Sequence, residues 1–176
     1  VAKAFSIPLV ACRYFNVYGP RQSLNNPYTG VAAIFSSAIK SGNSPIVYED
    51  GNQRRDFTSV HDIVRAKLLL LENDDANYQV FNVGTGISTS VNEVVETLKK
   101  LYGREDIESK VINRFRAGDI RHCYADISKL KTLGYSPSIS FEDGMRELVE
   151  WGEQQESTDS SEQAHKELIE RGLLAA

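Results

Sequence analysis

Apolar positions along the chain follow two alternating rhythms. Short unbroken apolar runs end in Gly, Pro or Asn, while longer stretches repeat an apolar residue every three or four positions, so strands are expected to alternate with helices. The opening VAKAFSIPLVACRYF predicts the tail of a helix, a turn at Ser6 and Pro8, and then a strand that is apolar on both faces. Such a strand belongs to a parallel sheet covered by helices, and its neighbours are expected upstream of Val1. PIVYE (45–49) and QVFNVG (79–84) predict two further strands. Between them, SVHDIVRAKLLLLEND puts Val60, Ile63, Val64, Leu68 and Leu71 on one helical face, with Ser59 and Asp62 at capping-box spacing.

The next helix is better signposted. Ser90 and Glu93 form a capping box, Val91, Val94, Val95, Leu98 and Leu101 make the apolar stripe, and Gly103 stands where a left-handed stop belongs. KVINRF and HCYAD predict short strands, Asp126 caps DISKLKTLGY, and Gly134 ends it. FEDGMRELVEWGE predicts a helix after Ser140, with Phe141, Met145, Leu148, Val149 and Trp151 on its apolar side. EQQESTDSSEQ is polar enough to be a linker, leading to a short terminal helix, AHKELIERGLL.

Composition narrows the class. At 176 residues and 41% hydrophobic content the chain can bury one core or two small lobes. A net charge of −4 with both signs interspersed argues against a nucleic-acid or membrane-surface protein, although a local basic pocket for an anion stays compatible with it. No apolar run reaches the length of a membrane span and no charged-then-apolar leader stands at the start, so a soluble, cytoplasmic protein is expected. Cys12 and Cys123 are too few for a disulfide framework and too far apart for a metal knuckle, and are expected as buried, reduced thiols. No metal site is expected.

Candidate chemistry lies in three stretches. GTGIST follows a strand as a dinucleotide-binding loop would, but Thr89 occupies the place of the third glycine, so a structural turn is expected. GNQRRDF sets two arginines between a glycine turn and a capped helix, and RFRAGDIRHCYAD sets Arg116 and Asp119 three residues apart. An arginine fork suits a phosphate oxygen pair and a carboxylate suits the vicinal hydroxyls of a ribose, which together sketch a nucleotide-diphosphate site. Each cluster taken alone also fits a solvated surface or an ion pair. His61 and His122 are expected to be structural or superficial, and His165 to be solvated.

CRYFNVYGPRQ, then PIVYEDGNQRRDFTSVHDIV, VFNVGTG, RAGDIRHCYADISK and a GYSP segment before an amphipathic helix together resemble the nucleotide-sugar epimerases and dehydratases of the extended short-chain dehydrogenase family. The resemblance spans about Val1 to Trp151, and SLNNPYTGVAAIFSS is most similar to UDP-glucose 4-epimerases or to epimerases acting on deoxythymidine-diphosphate-linked deoxysugars. It implies an α/β fold, the carboxyl-terminal part of a Rossmann-type parallel sheet plus a small substrate lobe. Residues 1–24 and 51–85 would belong to the NAD-binding domain, 25–50 and 86–152 to the nucleotide-sugar lobe, and 153–176 to a polar linker and terminal helix.

The same resemblance implies roles. Tyr14 and Phe15 would lie beside the nicotinamide, core packing being the alternative, and Asn16 would touch the substrate. Thr29, Gly30 and Val31 would form a helix start near the diphosphate, where free N–H groups favour an anion. Ile46 and Tyr48 would hold the nucleotide base, although Ile46 also suits an ordinary strand. Arg55 would bind the diphosphate, with Arg54 open to sharing that role, and Asp56 would brace the turn. Arg116 would contact phosphate and Asp119 the ribose, while Ala117 stands where a proline is common.

The Tyr-x-x-x-Lys pair and glycine-rich NAD loop of that family have no counterpart in these residues. The resemblance therefore implies the carboxyl-terminal half of an NAD-dependent enzyme, inactive alone, that in its intact form removes hydride from C4 of a nucleotide sugar and returns it to the other face. A 4,6-dehydratase, or a nucleotide-sugar-binding module without catalysis, would carry the same residues. The resemblance implies a nucleotide-diphosphate sugar as partner and a homodimer for the full-length enzyme, and neither a nucleic acid nor a membrane is expected as a partner.

Overall fold

The computed structural model describes residues 1–24, 26, 29–156, 159 and 161–175. Asn25, Pro27 and Tyr28 of the SLNNPYTG run, Ser157, Thr158 and Ser160 of the polar linker, and Ala176 lie outside the described residues.

A 3-10 turn, Lys3–Phe5, closes on Ser6 in the left-handed region and leads to β1 (Ala11–Tyr14) and, after Phe15, to β2 (Asn16–Tyr18). Helix α1 (Val31–Lys40) is followed by β3 (Ile46–Val47), β4 (Arg54–Arg55), β5 (Phe57–Ser59) and α2 (Val60–Leu71). Then come β6 (Val80–Val83), β7 (Thr89–Ser90) and α3 (Val91–Leu101). Three two-residue strands, β8 (Lys110–Val111), β9 (Phe115–Arg116) and β10 (His122–Cys123), precede α4 (Ser128–Lys131) and α5 (Phe141–Glu153). Helix α6 (Ser161–Glu170) and β11 (Leu174–Ala175) follow.

Strands β1 and β6 are parallel, with Ala11 opposite Val80 and Tyr14 opposite Val83. Strands β2 and β5 are parallel as well, with Asn16 opposite Phe57. Parallel pairing needs long connections, and α2 lies in the one that leads from β5, the partner of β2, to β6, the partner of β1. Strands β3 and β8 form a third parallel pair, β4 lies between parallel β10 and antiparallel β7, and β11 runs antiparallel to β9.

Two apolar clusters fill this frame. In the first, α1, α3 and α5 pack their stripes together around Phe35, Ile39, Val94, Leu98, Met145 and Leu148. Tyr18 and Phe57 seal its floor, ring edges meeting ring faces near Phe141. A Cβ on Gly144 would collide with the Tyr18 hydroxyl, so only glycine lets α5 approach β2 this closely. The second cluster gathers Ile63, Ala66 and Leu70 of α2 with Phe81, Val83, Ile127, Leu130 and Tyr135.

Four expectations need correction. The apolar face of α2 is not the one the spacing picked out: Ile63, Ala66 and Leu70 are buried, whereas Val64, Leu68 and Leu71 are 48%, 51% and 82% exposed. Nor does Asp62 complete a capping box, because its buried carboxylate accepts the Ser138 and Ile139 amides at 3.1 Å instead. Strand β1 is half-exposed rather than buried, since β6 is its sole strand partner among the described residues. Both cysteines are free but half-buried.

The GTG turn is structural, as expected, and Asp56 is what it wraps around. This fully buried carboxylate accepts from Thr85 N at 2.9 Å, Thr85 Oγ1 at 2.7 Å, Gly86 N at 2.9 Å, Ala125 N at 3.2 Å and Thr58 Oγ1 at 3.1 Å. A Cβ at Gly84 would stand 2.6 Å from Asp56 Oδ2, which explains the glycine. Burying a carboxylate is tolerated only when its oxygens are this fully satisfied. Removing it strands several buried donors at once, so Asp56→Ala is expected to cost roughly 3 kcal/mol or more, against about 1 kcal/mol for Thr58→Val, which deletes one bond. Urea midpoints of the two variants measure this, and equal losses would contradict the hub.

Candidate functional site

The carboxyl end of β1 opens into two depressions. The first is a cavity of about 260 Å³ lined by Asn16, Thr29, Gly30, Val31, Ile46, Tyr48, Arg55, Arg116 and Asp119. The second is a broader, open groove of about 620 Å³ flanked by Arg13, Tyr14, Phe15, Gly118 and Ile120. Asn16, Arg55 and Asp119 belong to both, so they mark the junction. Residues far apart in sequence and expected to act on one ligand therefore share one cavity, and the two aromatic residues expected beside a cofactor face the adjoining groove.

Each side chain is held by its local structure. Asn16 opens β2, and its N–H donates to the Asp56 carbonyl at 2.9 Å. Arg55, on β4, donates from Nη1 to the carbonyls of Arg54 and Arg121 at 2.9 and 2.8 Å, which leaves the rest of its fork beside the cavity. Arg54 points elsewhere, donating to the Ser88 carbonyl at 2.8 Å, and does not line the cavity. Asp119 closes a turn over Gly118, its N–H bonded to the Arg116 carbonyl at 3.0 Å. The guanidinium of Arg116 stacks 4.5 Å above the Tyr48 ring, a cation–π contact.

Helix α1 begins at the cavity wall. Gly30 is its N-cap in extended conformation, and among the described residues no side chain caps it. The first amides of a helix lack intrahelical acceptors and carry the positive end of its dipole, so this wall suits an anion. Arg55 and Arg116 add positive charge to the cavity, with Asp119 opposing. Glu49 lines it, but Arg121 neutralises Glu49 in an ion pair and binds Asp50 at 2.8 Å. The hydrogen bonds from Arg121 and Asn52 hold the Asp50 carboxyl well below the usual carboxylate range.

Several lining residues escaped the sequence reading. Gln53 is buried and donates to the Tyr48 carbonyl at 3.0 Å, while its side-chain oxygen has no partner among the described residues. Ser161 and Ala164 reach the cavity from α6. Residue His165, expected in solvent, instead meets the Tyr48 hydroxyl through Nδ1 at 3.1 Å, with ring centroids 5.8 Å apart. Nothing in the local sequence announced this, because α6 is separated from Tyr48 by more than a hundred residues. His61 pairs with Glu147 at 2.8 Å, away from the cavity. Among the described residues no group of three or more His, Cys, Asp or Glu side chains could hold a metal ion, and no helix is long and apolar enough to cross a membrane.

Parallel strands joined by crossover helices, with a cavity at a strand's carboxyl end, define a Rossmann-type α/β protein. Residues 1–148 match the family model described as GDP-mannose 4,6 dehydratase. The chain is 38% identical over 156 residues to the dTDP-L-rhamnose 4-epimerase of Burkholderia thailandensis, covering 86% of this chain and 42% of that protein. Among solved structures it resembles the UDP-N-acetylglucosamine 4-epimerase from Methanobrevibacter ruminantium in complex with UDP-N-acetylmuramic acid, with TM-score 0.81 and 41% identity over 88% of this chain and 49% of that one. The UDP-glucuronic acid 4-epimerase from Bacillus cereus, in complex with UDP-glucuronic acid and NAD, superposes with TM-score 0.77 and 31% identity over 87% of this chain and 48% of that one. The chain belongs to the nucleotide-sugar epimerase and dehydratase family of extended short-chain dehydrogenases, and it spans about half the length of these relatives.

Burial lowers the pKa of His165, and the nearby cations Lys110, Arg114 and Arg116 lower it further, against a smaller opposing effect of Glu162. The docked imidazole thus binds a proton less readily than a free one, so docking of α6 is fully present above the ordinary value of about 6.5 and weakens as pH falls below it. A proton NMR titration of the His165 ring is expected to give a midpoint below about 6.5, and a midpoint above that value would contradict the docked arrangement.

Proposed function

We propose that this chain carries the substrate-binding half of an NAD-dependent nucleotide-sugar 4-epimerase of the UDP-glucose and UDP-galactose type. The observation that carries the reading is the convergence of Asn16, Arg55, Arg116, Asp119 and the amino end of α1 on one cavity. Two arginine forks and free helix amides suit a diphosphate, and Asp119 suits the paired hydroxyls of a ribose. Ile46 and Tyr48 supply a flat apolar wall for the base. Burial pushes the Tyr48 hydroxyl pKa up, with Arg116 opposing, so the phenol stays neutral.

In this reading residues 1–24 and 51–85 belong to the cofactor domain and residues 25–50 and 86–152 to the substrate lobe. NAD, when bound, supplies the hydride acceptor for C4 of the sugar. The groove beside Tyr14 and Phe15 fits a flat ring, being wide, open and walled by aromatic side chains. The residues of this chain then do positioning. Arg55 and Arg116 anchor the diphosphate, Asp119 and Tyr48 hold the nucleoside, and Asn16, at the junction of cavity and groove, reaches the sugar. Fixing the nucleotide end while the sugar turns presents either face of C4 to the same acceptor without releasing the substrate. Bond-breaking acids and bases lie outside these residues, and the chain alone is inactive in this account. Members of this family act in the cytoplasm as homodimers in the same reading.

A second reading, epimerisation of a deoxythymidine-diphosphate sugar, draws on the 38% identity to the dTDP-L-rhamnose 4-epimerase. Isothermal titration of the chain with UDP, deoxythymidine diphosphate and NAD separates the two. Tighter binding of UDP favours the first, tighter binding of deoxythymidine diphosphate the second, and NAD is expected to bind poorly. Arg116→Ala or Asp119→Ala should weaken the preferred diphosphate by about 1.5 to 3 kcal/mol, the range for a hydrogen bond to a charged group, whereas Arg54→Ala should not. Unchanged affinity in the first two variants would remove the assignment.

A further inference from the structure

The carboxyl-terminal segment lies beyond the residues that match the family model, yet it is part of the cavity. Ser161 and Ala164, three positions apart and so on one face of α6, line it. The next residue, His165, takes the Tyr48 hydroxyl. Past α6 the chain continues as β11 alongside β9, with Leu174 opposite Arg116, and the Ala117 N–H donates to the Leu173 carbonyl at 2.9 Å. A proline at 117 would have no such N–H to give. At the other end, Asn43 Nδ2 donates to Asp159 Oδ2 at 2.8 Å.

Helix α6 contributes no buried residue and no member of either apolar cluster. A helix docked so lightly adds little to folding, so what its contacts accomplish is local. They fall on two ligand-facing elements: the Tyr48 ring and the strand that bears Arg116. We infer that α6 and β11 form a working wall of the nucleotide cavity, with His165 as a positioning residue that fixes the Tyr48 ring and β11 as a brace for Arg116. The inference rests on the nucleotide reading of the cavity given above.

The chemistry of the contact is consistent with that role. One hydrogen bond joins the neutral Tyr48 hydroxyl to Nδ1 of a neutral imidazole, and in the tautomer protonated at Nε2 the hydroxyl is the donor. A neutral His165 adds no charge beside Lys110, Arg114 and Arg116, so the cations remain available to an anion. With its edge held by His165 and its face covered by Arg116, the Tyr48 ring is ordered before a ligand arrives, and preorganisation of this kind raises affinity by lowering the ordering cost.

The test compares UDP binding, by isothermal titration calorimetry, to four forms: the whole chain, a chain ending at Gln155, His165→Ala and His165→Gln. Ending at Gln155 keeps the carbonyls of Gly152 and Glu153 that Lys40 Nζ binds at the end of α5, with a terminal carboxylate oxygen in place of the Gln155 carbonyl it also binds. The shortened chain is expected to bind UDP about tenfold more weakly and His165→Ala about threefold to tenfold more weakly, the equivalent of one or two hydrogen bonds, with thermal midpoints unchanged. His165→Gln retains an acceptor for the Tyr48 hydroxyl and is expected to recover most of the loss, which a purely structural role for the histidine would not produce. Equal affinity of the shortened and whole chains would overturn the wall while leaving the nucleotide reading intact. Absence of binding by the whole chain would overturn the nucleotide reading, and the wall with it.

Discussion

A single buried carboxylate organises the site. Asp56 follows Arg55 directly, and its side chain gathers the Thr85–Gly86 turn and the Ala125 amide while its backbone carbonyl holds Asn16. Segments from four parts of the chain thereby meet at one point. Because a charge without partners in that interior would cost several kcal/mol, every donor must be in place for the carboxylate to be buried at all. The spacing of Asn16 and Arg55 is thus fixed by the same bonds that make the core stable, and the cavity inherits its shape from the hub.

Electrostatics then decide what the cavity accepts. The chain as a whole is acidic, with a net charge of −4, but of the two acids that line the cavity Glu49 is paired and Asp119 alone has no ion-pair partner among the described residues. Glu49 and its neighbour Asp50 are both bound by Arg121. Arg55 and Arg116 face the space with no carboxylate against their forks among the ion pairs of the described residues. A locally positive cavity on a negatively charged protein is selective by design of contacts rather than by bulk attraction, since surface charges beyond about 8–10 Å are screened at physiological salt.

Helices with strong local signals were legible in advance. The capping box of α3 forms between Ser90 and Glu93, Val91, Val94, Val95 and Leu98 of its stripe are buried with Leu101 partly so, and Gly103 takes the left-handed conformation that ends it. Helix α2 was misread because it is apolar on two faces, and periodicity alone does not tell which face meets the core. Burial follows Ala66 and Leu70, which pack against Phe81 and Leu130, elements brought near only by the crossover to β6. Asp62 shows the same limit: its spacing suits a cap, but a better pair of donors arrives from residues 138 and 139.

The main helices, the longer strands, the family resemblance and the residue types of the cavity are legible in the chain alone, because caps, stripes, glycine stops and arginine-carboxylate spacing are all encoded within a few neighbouring positions. Tertiary structure alone decided which arginine faces the cavity, since Arg54 and Arg55 alternate sides of β4 and only the pairing with β10 and β7 sets which side is inward. It decided the fate of Gln53, whose amide is divided between the Tyr48 carbonyl and the cavity. It also decided that the polar tail returns to Tyr48 and Arg116 instead of remaining in solvent. Those contacts join residues far apart in the sequence, Tyr48 and His165 by more than a hundred positions, and no local pattern records a meeting that only the folded chain brings about.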